Sequence, residues 1–81
     1  MTELVPQIKQ ILSELFNVKV DTLSMNSSSD NVTGWDSLGQ LMVIVELEQR
    51  FNIQISPENG EQLTSVARIE DYLKSALGPP R

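Results

Sequence analysis

The chain has 81 residues, enough for a single domain spanning 1–81 that buries only about 60% of its unfolded surface, with no room for both a packed core and an enclosed cleft. It holds no cysteine and no histidine, which excludes disulfides, thiolate or imidazole metal sites and histidine-dependent triads. A formal net charge of −5 argues against nucleic acid, which requires a basic footprint, and favours partners with basic docking surfaces.

The first element is a helix from about Glu3 to Phe16. Leu4, Val5, Ile8, Ile11, Leu12, Leu15 and Phe16 recur at helical spacing and form one wide apolar stripe, the mark of a core-facing helix. Thr2 is a candidate cap, and Pro6 is tolerable only in the first turn, where the missing N–H has no partner to lose.

From Asn17 to Asp36 the helical period disappears. Asp21, Asn26, Ser27, Ser28, Ser29, Asp30, Asn31 and Gly34 are turn and cap residues, so this is a long loop. Val18, Val20 and Leu23 are expected to pin it to the bundle. Loops of this length in a compact domain are functional or mobile, and this one delivers Asp36 and Ser37. A calcium loop starting at Asp30 fails, because Val32 stands where an oxygen ligand is needed.

The stretch Gly34-Trp35-Asp36-Ser37-Leu38-Gly39-Gln40-Leu41 reads as a loop that ends on Asp36 and a helix that opens at Ser37 and runs to Phe51. An aspartate N-cap accepts from the unpaired N–H groups of the first turn. Ser37 then sits exposed at the positive end of the helix dipole. A phosphate ester there would gain about 0.3–1 kcal/mol. This helix carries two apolar faces. Val43, Ile44, Leu47 and Phe51 form one, suited to the core. Leu38, Leu41, Met42 and Val45 form another, nearly opposite, which begins beside Ser37 and has no use inside so small a protein unless the helix is central and buried all round.

Asn52 ends this helix, and Ile53-Gln54-Ile55 alternates like a short extended segment. Ser56 caps and Pro57 begins a short helical turn to about Leu63, weakened by Gly60. Thr64 or Ser65 caps a last helix to about Leu77, with Val66, Ile69, Leu73 and Ala76 or Leu77 inward and Tyr72 near the edge. Gly78-Pro79-Pro80 stops it. The fold expected is all-α: a four-helix bundle of three main helices and one short one, with a long loop between the first and second. No run of about 18 or more apolar residues occurs and no signal-peptide pattern is seen, so a cytoplasmic location with no membrane span is expected.

Gly34-Trp35-Asp36-Ser37-Leu38 resembles the Gly-x-Asp-Ser-Leu signature of the acyl carrier protein family, and the helix ending Leu47-Glu48-Gln49-Arg50-Phe51-Asn52-Ile53 is similar to the family's second helix. The likeness covers essentially the whole chain. It implies a free-standing carrier in which a phosphopantetheinyl transferase esterifies Ser37 with the 4'-phosphopantetheine of coenzyme A. The arm's thiol then carries an acyl or aminoacyl group as a thioester, and the protein itself catalyses nothing. Asp36 is expected to matter for transferase recognition or for positioning coenzyme A. Leu38, Leu41, Met42 and Val45 are the expected partner contacts, with Glu46 and Glu48 as rim charge. Those partners would be loading and processing enzymes of ligase, ketosynthase or acyltransferase type, and the carrier a monomer.

Departures from the fatty-acid pattern point to a dedicated lipid, polyketide or aminoacyl pathway. Arg50 and Gln49 stand where acids are common. Trp35 replaces a small residue; it is either a specificity contact beside the serine or, more in keeping with how aromatics are buried, a ring covering the bundle end or the loop. Gly39 inside the first turn costs about 1 kcal/mol relative to alanine, and either close approach of a partner or arm, or drift, explains it.

Two other readings compete. A serine hydrolase needs Gly-x-Ser-x-Gly and a base, but Trp35 stands at the first glycine and no histidine exists. An unmodified helical interaction module would use the apolar stripe of the second helix for a partner and leave Ser37 untouched.

Overall fold

The computed structural model describes residues 4–77. Four α-helices follow one another: α1 (Leu4–Phe16), α2 (Ser37–Phe51), α3 (Pro57–Gly60) and α4 (Val66–Leu77), with a 3-10 turn at Val20–Thr22 in the long loop. No strand occurs among the described residues; a single bridge pairs Ser28 with Ser65. The expected all-α bundle of three main helices and one short one is what forms. Pro6 lies in the first turn of α1, as its missing N–H requires. Glu3, the expected start of the first helix, lies outside the described residues, as do Thr2 and Gly78-Pro79-Pro80.

The core is built where the apolar stripes of α1, α2 and α4 converge. Ile8, Ile11 and Leu12 of α1 meet Val43 and Leu47 of α2 and Val66, Ile69 and Leu73 of α4, all essentially sealed from solvent. Ile44, Phe51, Phe16, Leu15 and Tyr72 pack against it while partly exposed. At the end of α2, Arg50 reaches both Glu14 of α1 (3.5 Å) and Glu46 one turn earlier (3.7 Å). Such half-exposed pairs add little stability but fix which charges remain unpaired.

The caps fall where their side chains dictate. Asn52 takes the left-handed conformation (φ 54°) that ends α2, which asparagine tolerates better than most residues. The Glu48 carboxylate then accepts the Ile55 N–H at 2.9 Å and secures the turn into the Ile53–Ile55 segment. Ser56 caps α3 by accepting from the Asn59 N–H, and Ser65, not Thr64, caps α4 by accepting from the Arg68 N–H.

Three expectations are corrected. The short helix stops at Gly60 rather than Leu63, because Leu63 turns inward to join the core. The inward stripe of α4 ends at Leu73; Ala76 and Leu77 are exposed. In the long loop, Val18 and Leu23 do pack on the bundle, but Val20 faces solvent in the 3-10 turn, and Val32 is buried in its place. Backbone bonds hold the loop there: Ser29 N–H to the Thr64 carbonyl (2.9 Å) and Val66 N–H to the Ser27 carbonyl (3.0 Å).

Candidate functional site

The loop ends as the local sequence dictates. Gly34 takes φ 94°, a backbone state open to glycine at little cost, and turns the chain so that Trp35 points inward while Asp36 and Ser37 stay outside. Asp36 is extended, and its Oδ1 accepts from the Gly39 N–H at 2.9 Å, the N-cap bond expected of it. Ser37 is the first residue of α2. It is exposed, and its hydroxyl bonds to nothing among the described residues. The first-turn N–H groups and the dipole of a 15-residue helix favour an anion there.

Trp35 is only 2% exposed, so its ring is a core element and not a surface contact beside the serine. It stacks on Phe16 with centroids 5.8 Å apart and planes inclined by 22°. Its Nε1–H donates to Oε1 of Gln40 at 2.6 Å. The same carboxamide donates through Nε2 to the carbonyls of Gly60 (2.8 Å) and Leu63 (2.9 Å). One half-buried glutamine thus satisfies a buried indole and ties α2 to the segment around α3. Gly39 has a tertiary reason as well. A Cβ there would collide with the Gly34 carbonyl and lie 2.8 Å from Cε1 of Phe16, so the first turn of α2 packs on the loop through bare backbone.

The second apolar face of α2 lies in solvent. Leu38 is 67% exposed and Leu41 60%, with Met42 and Val45 also open. This excludes an all-round buried helix and leaves an apolar patch that starts one residue after Ser37. Of the two acids beside it, Glu46 is paired with Arg50, and Glu48 has one oxygen engaged by Ile55. The structure therefore gathers Asp36, Ser37, Leu38, Leu41, Met42 and Val45 at one end and along one side of α2, with Glu46 and Glu48 further down. Sequence reasoning missed Gln40, whose partners lie 20 and 23 residues away and leave no local signal. Among the described residues, no group of His, Cys, Asp or Glu could hold a metal ion, and no helix is long and apolar enough to cross a membrane.

Comparison with known proteins finds one family model matching residues 6–73, that of the phosphopantetheine attachment site. The chain is also similar to the acyl carrier protein of Buchnera aphidicola subsp. Schizaphis graminum (strain Sg), 33% identical over 75 residues, which is 93% of this chain and 95% of that protein. The residues present fit a covalently attached phosphopantetheine. They offer an exposed serine hydroxyl with no hydrogen-bond partner among the described residues for the ester, and a helix start for its phosphate.

Proposed function

We propose that this chain, which belongs to the acyl carrier family with its phosphopantetheine attachment site, carries acyl or aminoacyl intermediates from Ser37 for a dedicated lipid, polyketide or related biosynthetic pathway. The observation that carries this reading is the placement of Ser37. It is an exposed hydroxyl at the first position of α2, set by the Asp36 cap and followed at once by an apolar patch in solvent. A buried serine could not be reached by a modifying enzyme without opening its surroundings.

The covalently attached phosphopantetheine supplies the thiol on which the acyl group is held as a thioester; the chain has no thiol of its own. The protein's part is positional. Asp36 keeps the first turn of α2 closed, so that Ser37 projects from a rigid element. The tether holds cargo at a high effective concentration for each enzyme in turn. Leu38, Leu41, Met42 and Val45 offer the apolar contact for the transferase and for loading and processing enzymes, while Glu46 and Glu48 supply negative rim charge for basic partners. Arg50 pairs with Glu46 one turn away, so part of that rim charge is offset. The reading is of one carrier domain, monomeric and cytoplasmic, with no catalysis of its own.

Intact-mass analysis of the protein recovered from cells tests this. Wild type should show the arm with acyl adducts that hydroxylamine removes, and Ser37→Ala should carry neither. Adducts retained on Ser37→Ala would contradict the assignment.

A further inference from the structure

We propose that Asn59 is a site of spontaneous covalent modification, deamidation through a succinimide, and that the single turn of α3 is the gate that sets its rate. The chain has five asparagines: Asn17, Asn26, Asn31, Asn52 and Asn59. The reactivity of each depends on the residue that follows, whose backbone nitrogen is the nucleophile. Val18, Val32 and Ile53 place a branched Cβ beside that nitrogen and hinder attack. Asn59 alone precedes a glycine, which presents the nitrogen with no Cβ at all. Its carboxamide is exposed and bonds to nothing among the described residues. That of Asn31, by contrast, is held by the Ser28 N–H and the Asn26 carbonyl.

Gly60 is there for packing. It is buried against Ile44, and a Cβ added to it would lie 2.6 Å from the Ile44 Cδ1. In the closed turn its nitrogen is engaged: the Gly60 N–H donates to the Ser56 carbonyl at 2.8 Å, and the Asn59 N–H donates to the Ser56 Oγ at 3.2 Å. Attack requires the first of these bonds to open. With four residues α3 is too short to be stable as an isolated helix. It is held from outside by Gln40, which donates to the carbonyls of Gly60 (2.8 Å) and Leu63 (2.9 Å). Opening so small a unit costs far less than unfolding the bundle.

The step needs no co-reactant but water. The Gly60 nitrogen, having lost its proton to hydroxide, forms a bond to Cγ of Asn59. The Cγ–Nδ2 bond breaks, and Nδ2 leaves as ammonia with a proton taken from water. A second water then adds to one of the two succinimide carbonyls and opens the ring to aspartate or isoaspartate. A groove of about 410 Å³ lined by Asn59, Gln62, Arg68 and Asp71 admits that water. Either product adds a negative charge to the groove that Arg68 lines. Isoaspartate also inserts a methylene into the backbone, which breaks the turn of α3 and draws the Gly60 carbonyl away from Gln40.

The test incubates the folded protein in mildly alkaline buffer made with water enriched in heavy oxygen. Mass spectrometry then follows the tryptic peptide 51–68, in which Asn52 is an internal control, alongside the peptides that carry the other asparagines. Conversion at Asn59 should outpace that at every other asparagine severalfold, take up heavy oxygen and yield isoaspartate that a protein isoaspartyl methyltransferase labels. Asn59→Gln should keep the fold and lose the fast conversion. In Gln40→Ala, shown to be folded by circular dichroism, conversion at Asn59 should rise severalfold while that at Asn26 stays as in the wild type. Should that variant fail to fold, wild type in urea below its unfolding transition takes its place. Equal rates at Asn59 and Asn26 in the wild type would overturn the site. A rise shared by all asparagines, or no rise at Asn59, would overturn the gate.

Discussion

The indole of Trp35 and the carboxamide of Gln40 are joined by a 2.6 Å hydrogen bond across the first turn of α2, with Ser37 between them in sequence and outside them in space. The bond ties the neighbourhood of the serine to the bundle from two sides. The loop before it is stacked on α1 through Phe16, and the helix after it is tied to Gly60 and Leu63.

Removing the ring should therefore be costly. Trp35→Ala is expected to destabilise the fold by about 3–5 kcal/mol, the range for deleting a large buried aromatic. Gln40→Leu, which strands the indole N–H and two carbonyl contacts, should cost about 1–3 kcal/mol. Urea unfolding followed by circular dichroism measures both, and losses below about 0.5 kcal/mol would show that neither residue secures the loop.

Gly39→Ala sets two effects against each other. Helix propensity alone favours alanine by about 1 kcal/mol. The added methyl, however, runs into the Gly34 carbonyl and the Phe16 ring, and overpacking of this kind costs about 1–3 kcal/mol. Net destabilisation is expected in the same urea experiment. A gain in stability would mean that the loop yields easily.

Asp36 has a capping role and a charge, and two substitutions separate them. Asp36→Ala should lose about 0.5–2 kcal/mol of stability with the cap bond. Asp36→Asn keeps an acceptor of equal capping rank and should stay within about 0.5 kcal/mol of wild type. If the carboxylate matters for modification, Asp36→Asn will be folded yet modified more slowly by a transferase. Equal rates for wild type and the Asp36→Asn variant would confine Asp36 to capping.

Leu38→Asp and Leu41→Asp alter side chains that are mostly in solvent, so stability should move by no more than about 0.5 kcal/mol. Modification and acyl transfer should fall sharply if this face receives partners, and unchanged rates in both variants would remove it from the docking surface.

Much of this was legible in the sequence because it is local. The Asp36 cap, the start of α2 at Ser37, its end at Asn52 and the division of α2 into two apolar faces depend on residues within a turn or two of one another. What was not legible depends on contacts between distant segments. Gly39 is explained by Phe16, and Gln40 by Gly60 and Leu63. In the long loop no period exists to say that Val32 turns inward and Val20 outward; backbone bonds from Ser27 and Ser29 to the start of α4 decide it. Likewise α3 is cut to a single turn because Leu63 is drawn into the core, a competition that capping signals at Ser56 and Pro57 do not reveal.

The central claim is that Ser37 receives the prosthetic arm. Intact-protein mass spectrometry after incubation with coenzyme A, magnesium and a broad-specificity phosphopantetheinyl transferase tests it most directly, with Ser37→Ala in parallel. A gain of one phosphopantetheine unit on wild type alone is the predicted result. No gain on a folded wild-type sample with several transferases, or an equal gain on Ser37→Ala, would contradict it.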